Sequence, residues 1–319
     1  MRLFITGSHG LVGTALMIAC RSRGHDVVPF DIVRVDAPCA EDICDPSLLA
    51  LRMADCDGII HLAAISRVAW GEERPDLCER TNVEGTRAVI EAALASPARP
   101  WLVFASSREV YGNPASSLVR ESDPVAPVNV YGRSKAQGEE LIEQGRAAGL
   151  RAAIIRLSNV YGGPRDHPDR AVPSLLTRAL AGDDLVITGG DNYFDFVHVD
   201  DVVAGLLAVI DRLAAGEDVS PPIHLTTGIA TSLRALAQQS LDIAGGTSRI
   251  IEAPARSFDV AGFCGDPARA MDLLGWGAQV DLRAGLWRLA GDLRRDGPLP
   301  PVLIPDPSAD AAGFAARAG

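Results

Sequence analysis

"ITGSHGLVG", Ile5–Gly13, joins the apolar run "RLFIT" to a segment of helical periodicity over 11–23, and its reading decides the fold. Gly7, Gly10 and Gly13 stand there in G-x-x-G-x-x-G spacing, with Leu11 and Val12 at the helix entry. Glycines at a strand-to-helix turn let the backbone bend tightly and approach a pyrophosphate lying at the positive helix N-terminus. In a chain with 31 glycines the spacing alone is weak, so its flanks must carry the inference.

The flanks agree. "DVVPF" precedes a helical segment at 45–53, "GIIHLAA" one at 76–95 and "WLVFAS" one at 131–148, after which "RAAIIRL" follows. Continuous apolar strands separated by amphipathic helices are what a parallel sheet covered on both faces requires. The expected fold is α/β, a doubly wound parallel Rossmann sheet with a smaller C-terminal α/β substrate lobe. Residues 1–163 are expected to form the dinucleotide domain, with 194–226 returning to it. Residues 164–193 and 227–297 would build the lobe, and the Pro- and Ala-rich stretch 298–319 would be a tail.

Asp31 closes the second strand about 20 residues past the glycine loop, where a carboxylate accepts hydrogen bonds from an adenosine ribose and repels a 2′-phosphate. That favours NAD, against which Arg34 stands as a guanidinium able to pair with a 2′-phosphate. Asp42 and Ile43 are placed to hold the adenine edge. Leu62, Ala63 and Ala64, at the end of the third strand, would pass under the cofactor.

Composition narrows the partners. A net charge of −11 leaves no basic stripe for nucleic acid or an acidic membrane surface. The six cysteines form no CxxC pair, so neither a metal site nor a disulfide framework is indicated. No apolar run reaches the length of a membrane span, and the expected location is cytoplasmic.

Among 30 basic residues there is one lysine, Lys135, four residues after Tyr131 in "YGRSKAQGEEL". At that spacing the two side chains share a helix face. Unlike arginine, a lysine supplies a compact ammonium that fits beneath a ribose and lowers the pKa of a neighbouring phenol. Tyr131 would then take a proton from an alcohol while hydride leaves to the cofactor.

Taken with "HLAA", Asn82 in "TNVEGT", "SSREVYG" and "SNVYG", these residues resemble the extended short-chain dehydrogenase/reductases, and within them the NAD-dependent nucleotide-sugar epimerase/dehydratase family. The resemblance spans roughly residues 1–296. It implies that Ser107 completes a catalytic triad with Tyr131 and Lys135 and that Asn82 serves the cofactor. It also implies a nucleotide-diphosphate sugar whose C4 alcohol is oxidised to a ketone, and a homodimer paired through the helices near 76–95 and 131–148. Asn159 matches a diphosphate contact, and Arg256 with Asp259 matches a pair gripping diphosphate and nucleoside ribose.

The chain also departs from that family. Phe194 stands where many members carry a diphosphate-clamping arginine, for which Arg165 or Arg170 could substitute, and Trp70 either reshapes the sugar pocket or packs its loop. After the catalytic hydroxyl the 4,6-dehydratases carry Asp then Glu, an acid and a base; here Arg108 and Glu109 follow Ser107. Arginine stays protonated, so the acid is absent and dehydration is disfavoured. The working expectation is a 4-epimerase, with Glu109 as an additional catalytic candidate and Arg108 or Arg67 pairing with a substrate carboxylate, unless Arg108 and Glu109 pair with each other. A dehydratase or decarboxylase using Glu109, a sugar-nucleotide reductase and a non-catalytic cofactor-sensing module are the alternatives.

Overall fold

The apolar runs of the N-terminal half become β1 (Arg2–Thr6), β2 (Asp26–Phe30), β3 (Gly58–His61), β4 (Trp101–Ser107) and β5 (Ala152–Leu157). Shorter strands follow: β6 (Asn159–Tyr161), β7 (Leu185–Thr188), β8 (Tyr193–His198), β9 (Ile223–Leu225), β10 (Ala230–Ser232) and β11 (Ile250–Ala253). The helices that matter for the site are α1 (Leu11–Ser22), α2 (Pro46–Met53), α3 (Val68–Glu73), α4 (Pro75–Glu79), α5 (Gly85–Ala95) and α6 (Val130–Ala147). In the second half come α7 (Ala171–Ala181), α8 (Val199–Ala214), α9 (Leu233–Ala244), α10 (Ala268–Leu274) and α11 (Leu282–Asp296). This computed structural model describes residues 1–32, 41–163, 165–246, 248–254 and 260–297, so the expected tail at 298–319 lies outside the described residues.

The large sheet runs β2-β1-β3-β4-β5-β9, every neighbouring pair parallel. Because side chains alternate across a strand, each strand feeds two cores. Leu3, Ile5, Ile60, Val103 and Ile155 pack with α1 and α8 on one face. Phe4, Ile59, Leu102, Phe104 and Ile154 pack with α2, α5 and α6 on the other. The chain leaves β1 for β2 and then crosses back over β1 to β3, so the connections leaving the carboxyl ends of β1 and β3 run to opposite sides and open a crevice there. Thr6 and His61, the paired last residues of the two strands, are buried beneath it.

The return to the large sheet is made by α8 and β9. The strand β8 instead pairs with β6 and β10 in a small sheet, beside a second pair formed by β7 and β11. Its side chains explain the divided loyalty: Phe194 and Phe196 enter a third core with α7, α9 and α11, while Val197 enters the core under α8. Among the described residues no helix is long and apolar enough to cross a membrane.

One buried charge network ties α6 to the sheet. Arg156 of β5 donates from Nε and Nη2 to the two oxygens of Glu139 on α6, at 2.9 and 2.6 Å. Its Nη1 donates to the Tyr111 hydroxyl at 2.6 Å and to the Glu121 carbonyl at 3.0 Å. That leaves the Tyr111 proton for His224 Nε2, 2.6 Å away. Ser106, at the end of β4, also donates to Glu139. Removing one partner of a buried ion pair strands the other charge, so Arg156→Met is expected to lower stability by about 3–5 kcal/mol. Arg156→Met with Glu139→Leu should recover most of that loss. Urea denaturation midpoints of the three proteins check both statements.

Candidate active site

A cleft of about 570 Å³ opens at the carboxyl ends of β1, β3 and β4 and runs on between the large sheet and the smaller lobe. Gly7, Gly10, Leu11, Val12 and Gly13 form its floor. Gly7 has φ +67°, and a Cβ there would stand 2.7 Å from the Ala63 nitrogen; one on Gly13 would stand 2.1 Å from the Gly7 carbonyl oxygen. Only glycine allows this three-way approach of loop, helix and β3. The α1 N-terminus has no side-chain cap and no acidic residue in its first turn, which leaves its N–H groups and positive dipole end for an anion. Leu62 and Ala64 also line the cleft, while Ala63 lies against Gly7. Asp31, just past β2, accepts the His9 N–H at 2.8 Å, which holds its carboxylate beside the glycine loop.

Beneath this loop runs a relay that the sequence reading missed. Thr6 Oγ1 accepts the N–H groups of Leu62 and Ala63, at 3.2 and 3.1 Å. Its own proton therefore goes to His61 Nδ1 at 2.7 Å, and His61 Nε2 donates to Thr86 Oγ1 at 3.0 Å. Burial pushes the imidazole down to about 3, so it stays neutral in that tautomer. Asn82 is buried behind the crevice: its Oδ1 accepts Ile65 N–H at 2.7 Å and its Nδ2 donates to Ser134 Oγ at 2.8 Å. It ties the loop after β3 to α6 from within a π turn, Arg80–Glu84, and does not line the cleft. Neither do Asp42, which pairs with Arg80, and Ile43, which packs under α5 against Gly85. Arg34, Arg256 and Asp259 lie outside the described residues.

Ser107, Tyr131 and Lys135 converge on the cleft. Asn129 accepts the Gly132 N–H at 2.7 Å as the N-cap of α6, an Asn-before-helix signal readable in "NVYG". Helix α6 lies so close to β4 that a Cβ on Gly138 would stand 2.5 Å from the Phe104 ring. That seating brings Lys135 Nζ to the Ala105 carbonyl, 2.7 Å away. Burial lowers the ammonium from its ordinary 10.5 to about 8, still protonated at neutral pH. Burial raises the Tyr131 phenol to about 12, opposed by a hydrogen bond with Ser107 and by the charge of Arg170. The nearest bond of Lys135 is thus to the backbone of β4, and Arg170 is the cation that acts on the phenol.

Arg108 and Glu109 pair with each other, Nη2 to Oε1 at 2.7 Å. The other Glu109 oxygen accepts Asn129 Nδ2 at 2.8 Å, and the residue does not line the cleft. Arg108 does line it, donating from Nε to Asn159 Oδ1 at 2.7 Å with its guanidinium 4.5 Å from the Phe194 ring centre. At the rim, Arg67 pairs with Asp169, and Trp70 stacks edge-on against His167 at 4.8 Å. Trp70 therefore packs the loop over residues 165–170 and does not line the cleft, whereas Arg170 and Asp166 do. Burial raises the Asp166 carboxyl to about 6.

Residues 3–220 match the NAD dependent epimerase/dehydratase family. The chain is 30% identical to a dTDP-glucose 4,6-dehydratase of Streptomyces antibioticus over 310 residues, covering 90% of this chain and 91% of that protein. It is also 30% identical to a UDP-glucose 4-epimerase of Mycolicibacterium smegmatis, covering 90% and 96%. The solved structure of MoeE5 with UDP-glucuronic acid and NAD superposes with a TM-score of 0.83 at 28% identity, covering 92% of this chain and 99% of that one.

The chain belongs to the NAD-dependent epimerase/dehydratase family. NAD is its cofactor, and the cleft fits that dinucleotide: a glycine cradle, an uncapped helix end and a carboxylate at the β2 terminus stand in the required order.

The buried ammonium gives a pH test. Between about 8 and 10.5 the unfolded chain still binds the Lys135 proton that the folded chain has released, so stability rises with pH across that window. Lys135→Met is expected to remove this part of the rise. Urea midpoints of the cofactor-free proteins at about pH 7.5 and about pH 10 measure it, the variant's difference being the smaller.

Proposed function

We propose that the protein is a nucleotide-sugar 4-epimerase that oxidises the sugar transiently at C4. The observation that carries this reading is the fate of the carboxylate beside the catalytic hydroxyl. Glu109 is turned out of the cleft onto Arg108 and Asn129, so the triad stands without a second acid or base next to it. Epimerisation needs none, since the ketone rotates and takes hydride on its other face.

When bound, NAD supplies the hydride acceptor. The protein's part is to place and move one proton. Ser107 hydrogen-bonds the Tyr131 phenol, and its hydroxyl also accepts the Glu109 N–H at 3.2 Å, which fixes its lone pairs. Tyr131 receives the C4 hydroxyl proton on Oη and returns it when the alcohol re-forms. A phenol near 12 is a poor acid, and ionising it at neutral pH takes roughly 7 kcal/mol of preferential anion stabilisation. The Ser107 hydrogen bond and the Arg170 charge already act within that value, so this stabilisation is needed in addition to theirs. Lys135 would hold the cofactor's ribose, and Asn159 the substrate near Arg108.

A second reading rests on Asp166. It is the cleft-lining carboxyl whose burial leaves it protonated up to about pH 6, and so a proton donor for a departing hydroxyl. A 4,6-dehydratase would use it.

The test is product analysis by NMR and mass spectrometry with NAD and UDP-, GDP-, CDP- or dTDP-linked hexoses and uronates. An isomer of unchanged mass and no net NADH is expected. Loss of water that disappears in Asp166→Asn would transfer the assignment to the second reading, and loss of CO2 would make the protein a decarboxylase. Tyr131→Phe should lower kcat by about 10³-fold or more while NAD binding is retained, as removal of a general acid–base group does.

A further inference from the structure

Arg170, the cation that acts on the Tyr131 phenol, stands at the end of the 165–170 loop, and both residues line the cleft. Its own side-chain contacts are long: Nη1 is 3.4 Å from the Val160 carbonyl oxygen and 3.8 Å from the Asp166 carboxylate. The loop backbone therefore sets its place. Asp169 immediately precedes it, and its N–H donates to the His167 carbonyl at 3.0 Å.

Those two neighbours are held from the opposite side of the cleft. Asp169 pairs with Arg67, and His167 meets Trp70 with ring centres 4.8 Å apart and planes at 86°. The contacts form one cluster: the Arg67 guanidinium lies 5.7 Å from the Trp70 ring centre, and His167 Nδ1 lies 3.2 Å from Asp169 Oδ1. Arg67 and Trp70 belong to the connection after β3 of the large sheet, whereas the loop joins β6 of the small sheet to α7. The four residues thus make a clasp between the two sides.

Helix α3, which carries Trp70, is anchored beside the phenol. Glu72 accepts the Val130 N–H at 2.8 Å, and a Cβ on Gly71 would stand 3.4 Å from the Tyr131 nitrogen. One short helix therefore locates both the entry of α6 and the loop that ends in Arg170. With Asp169 about half exposed, the ion pair and the single ring contact hold weakly enough to part for a nucleotide sugar and to re-form over it. Where the loop lies matters for charge. Glu109 from the turn after β4 and Cys78 of α4 disfavour the Tyr131 anion, the Ser107 hydroxyl hydrogen-bonds the phenol, and Lys135 lies one turn along α6. Arg170 counters the first two from the lobe side, and its effect falls as the loop withdraws.

We propose that Arg67 and Trp70 are positioning residues for the proton transfer at Tyr131: by clasping Asp169 and His167 they hold Arg170 toward the phenol. The site is complete only when the loop is fastened. The inference rests on the reading of Tyr131 as the proton carrier at C4.

Fluorine NMR of the NAD-loaded protein labelled with difluorotyrosine tests it without a substrate. The chain has four tyrosines, and the resonance lost in Tyr131→Phe is that of Tyr131. Its position against pH gives the ionisation midpoint of that phenol. Arg170→Met should raise the midpoint by about one unit, and Trp70→Ala and Arg67→Met by about half a unit each. Trp70→Phe keeps a ring against His167 and should stay within about 0.2 unit of the unaltered protein. Joined to Arg170→Met, neither clasp substitution should add to its shift, because both act through the same guanidinium. Arg67→Met leaves Asp169 in contact with solvent, so no buried charge is stranded, and NAD retention checks the fold of every variant.

A midpoint unmoved by Trp70→Ala and Arg67→Met overturns the inference, as does one unmoved by Arg170→Met. So does a clasp shift that persists in full on top of Arg170→Met, or a Tyr131 resonance that does not titrate up to about pH 11 in any of the proteins. If the clasp variants move the midpoint as expected while Tyr131→Phe leaves turnover of the sugar nucleotides unaltered, the clasp stands and the proton-carrier reading alone falls.

Discussion

The seating of α6 on β4 is the constraint on which the site depends. Gly138 lets the helix come down onto the Phe104 ring, and the residues one turn before and one position after it meet the strand's exit. Lys135 reaches the Ala105 carbonyl, and Glu139 gathers Ser106 and Arg156. Tyr131, Lys135 and Glu139 are successive i, i+4 positions, so one helix face carries the phenol, the ammonium and the structural anion. With two of the three bound to the sheet, the first has little freedom to leave Ser107.

Much of the fold was legible in the sequence because a parallel sheet buried on both faces writes itself as uninterrupted apolar runs. "RLFIT", "GIIH" and "WLVFAS" read directly as strands, and the loop of Gly7, Gly10 and Gly13 could sit only where a strand meets a helix. The small sheet was harder. The three-residue strands β6 and β10 carry no period long enough to register, and β8 places Phe194 and Val197 in different cores.

The candidate site was legible in its residue types more than in their partners. Lys135 stood out as a lone lysine, and the structure brings it to the cleft with Tyr131 and Ser107. Asp42, Ile43, Asn82 and Glu109 also looked like site residues, yet each turns to Arg80, the α5 core, Ile65 or Arg108. Sequence spacing states which residues are near a strand end; it does not state which way they point once long-range partners compete for them. The Thr6–His61–Thr86 relay was hidden for the same reason, because its members lie up to 80 positions apart and meet only through the register of β1 and β3.

Glu109 illustrates how a carboxylate can order a cleft wall by its pairings alone. Its carboxylate holds Arg108 on one side and Asn129 on the other, and Asn129 caps the helix that begins with Val130 and Tyr131. A Cβ on Gly132 would stand 2.5 Å from the Glu109 carbonyl, so the entry of α6 and the 3-10 turn Arg108–Tyr111 that follows β4 are in direct contact as well. The orientation of the guanidinium in the cleft wall and the position of the phenol are thereby fixed by one shared anion. Replacing Glu109 with a smaller residue would loosen both ends of this linkage, whereas the buried ion pair keeps the Arg108 guanidinium and the entry of α6 at constant separation. Such coupling accounts for an acidic residue two positions after Ser107 in a cleft whose proposed chemistry uses no second acid.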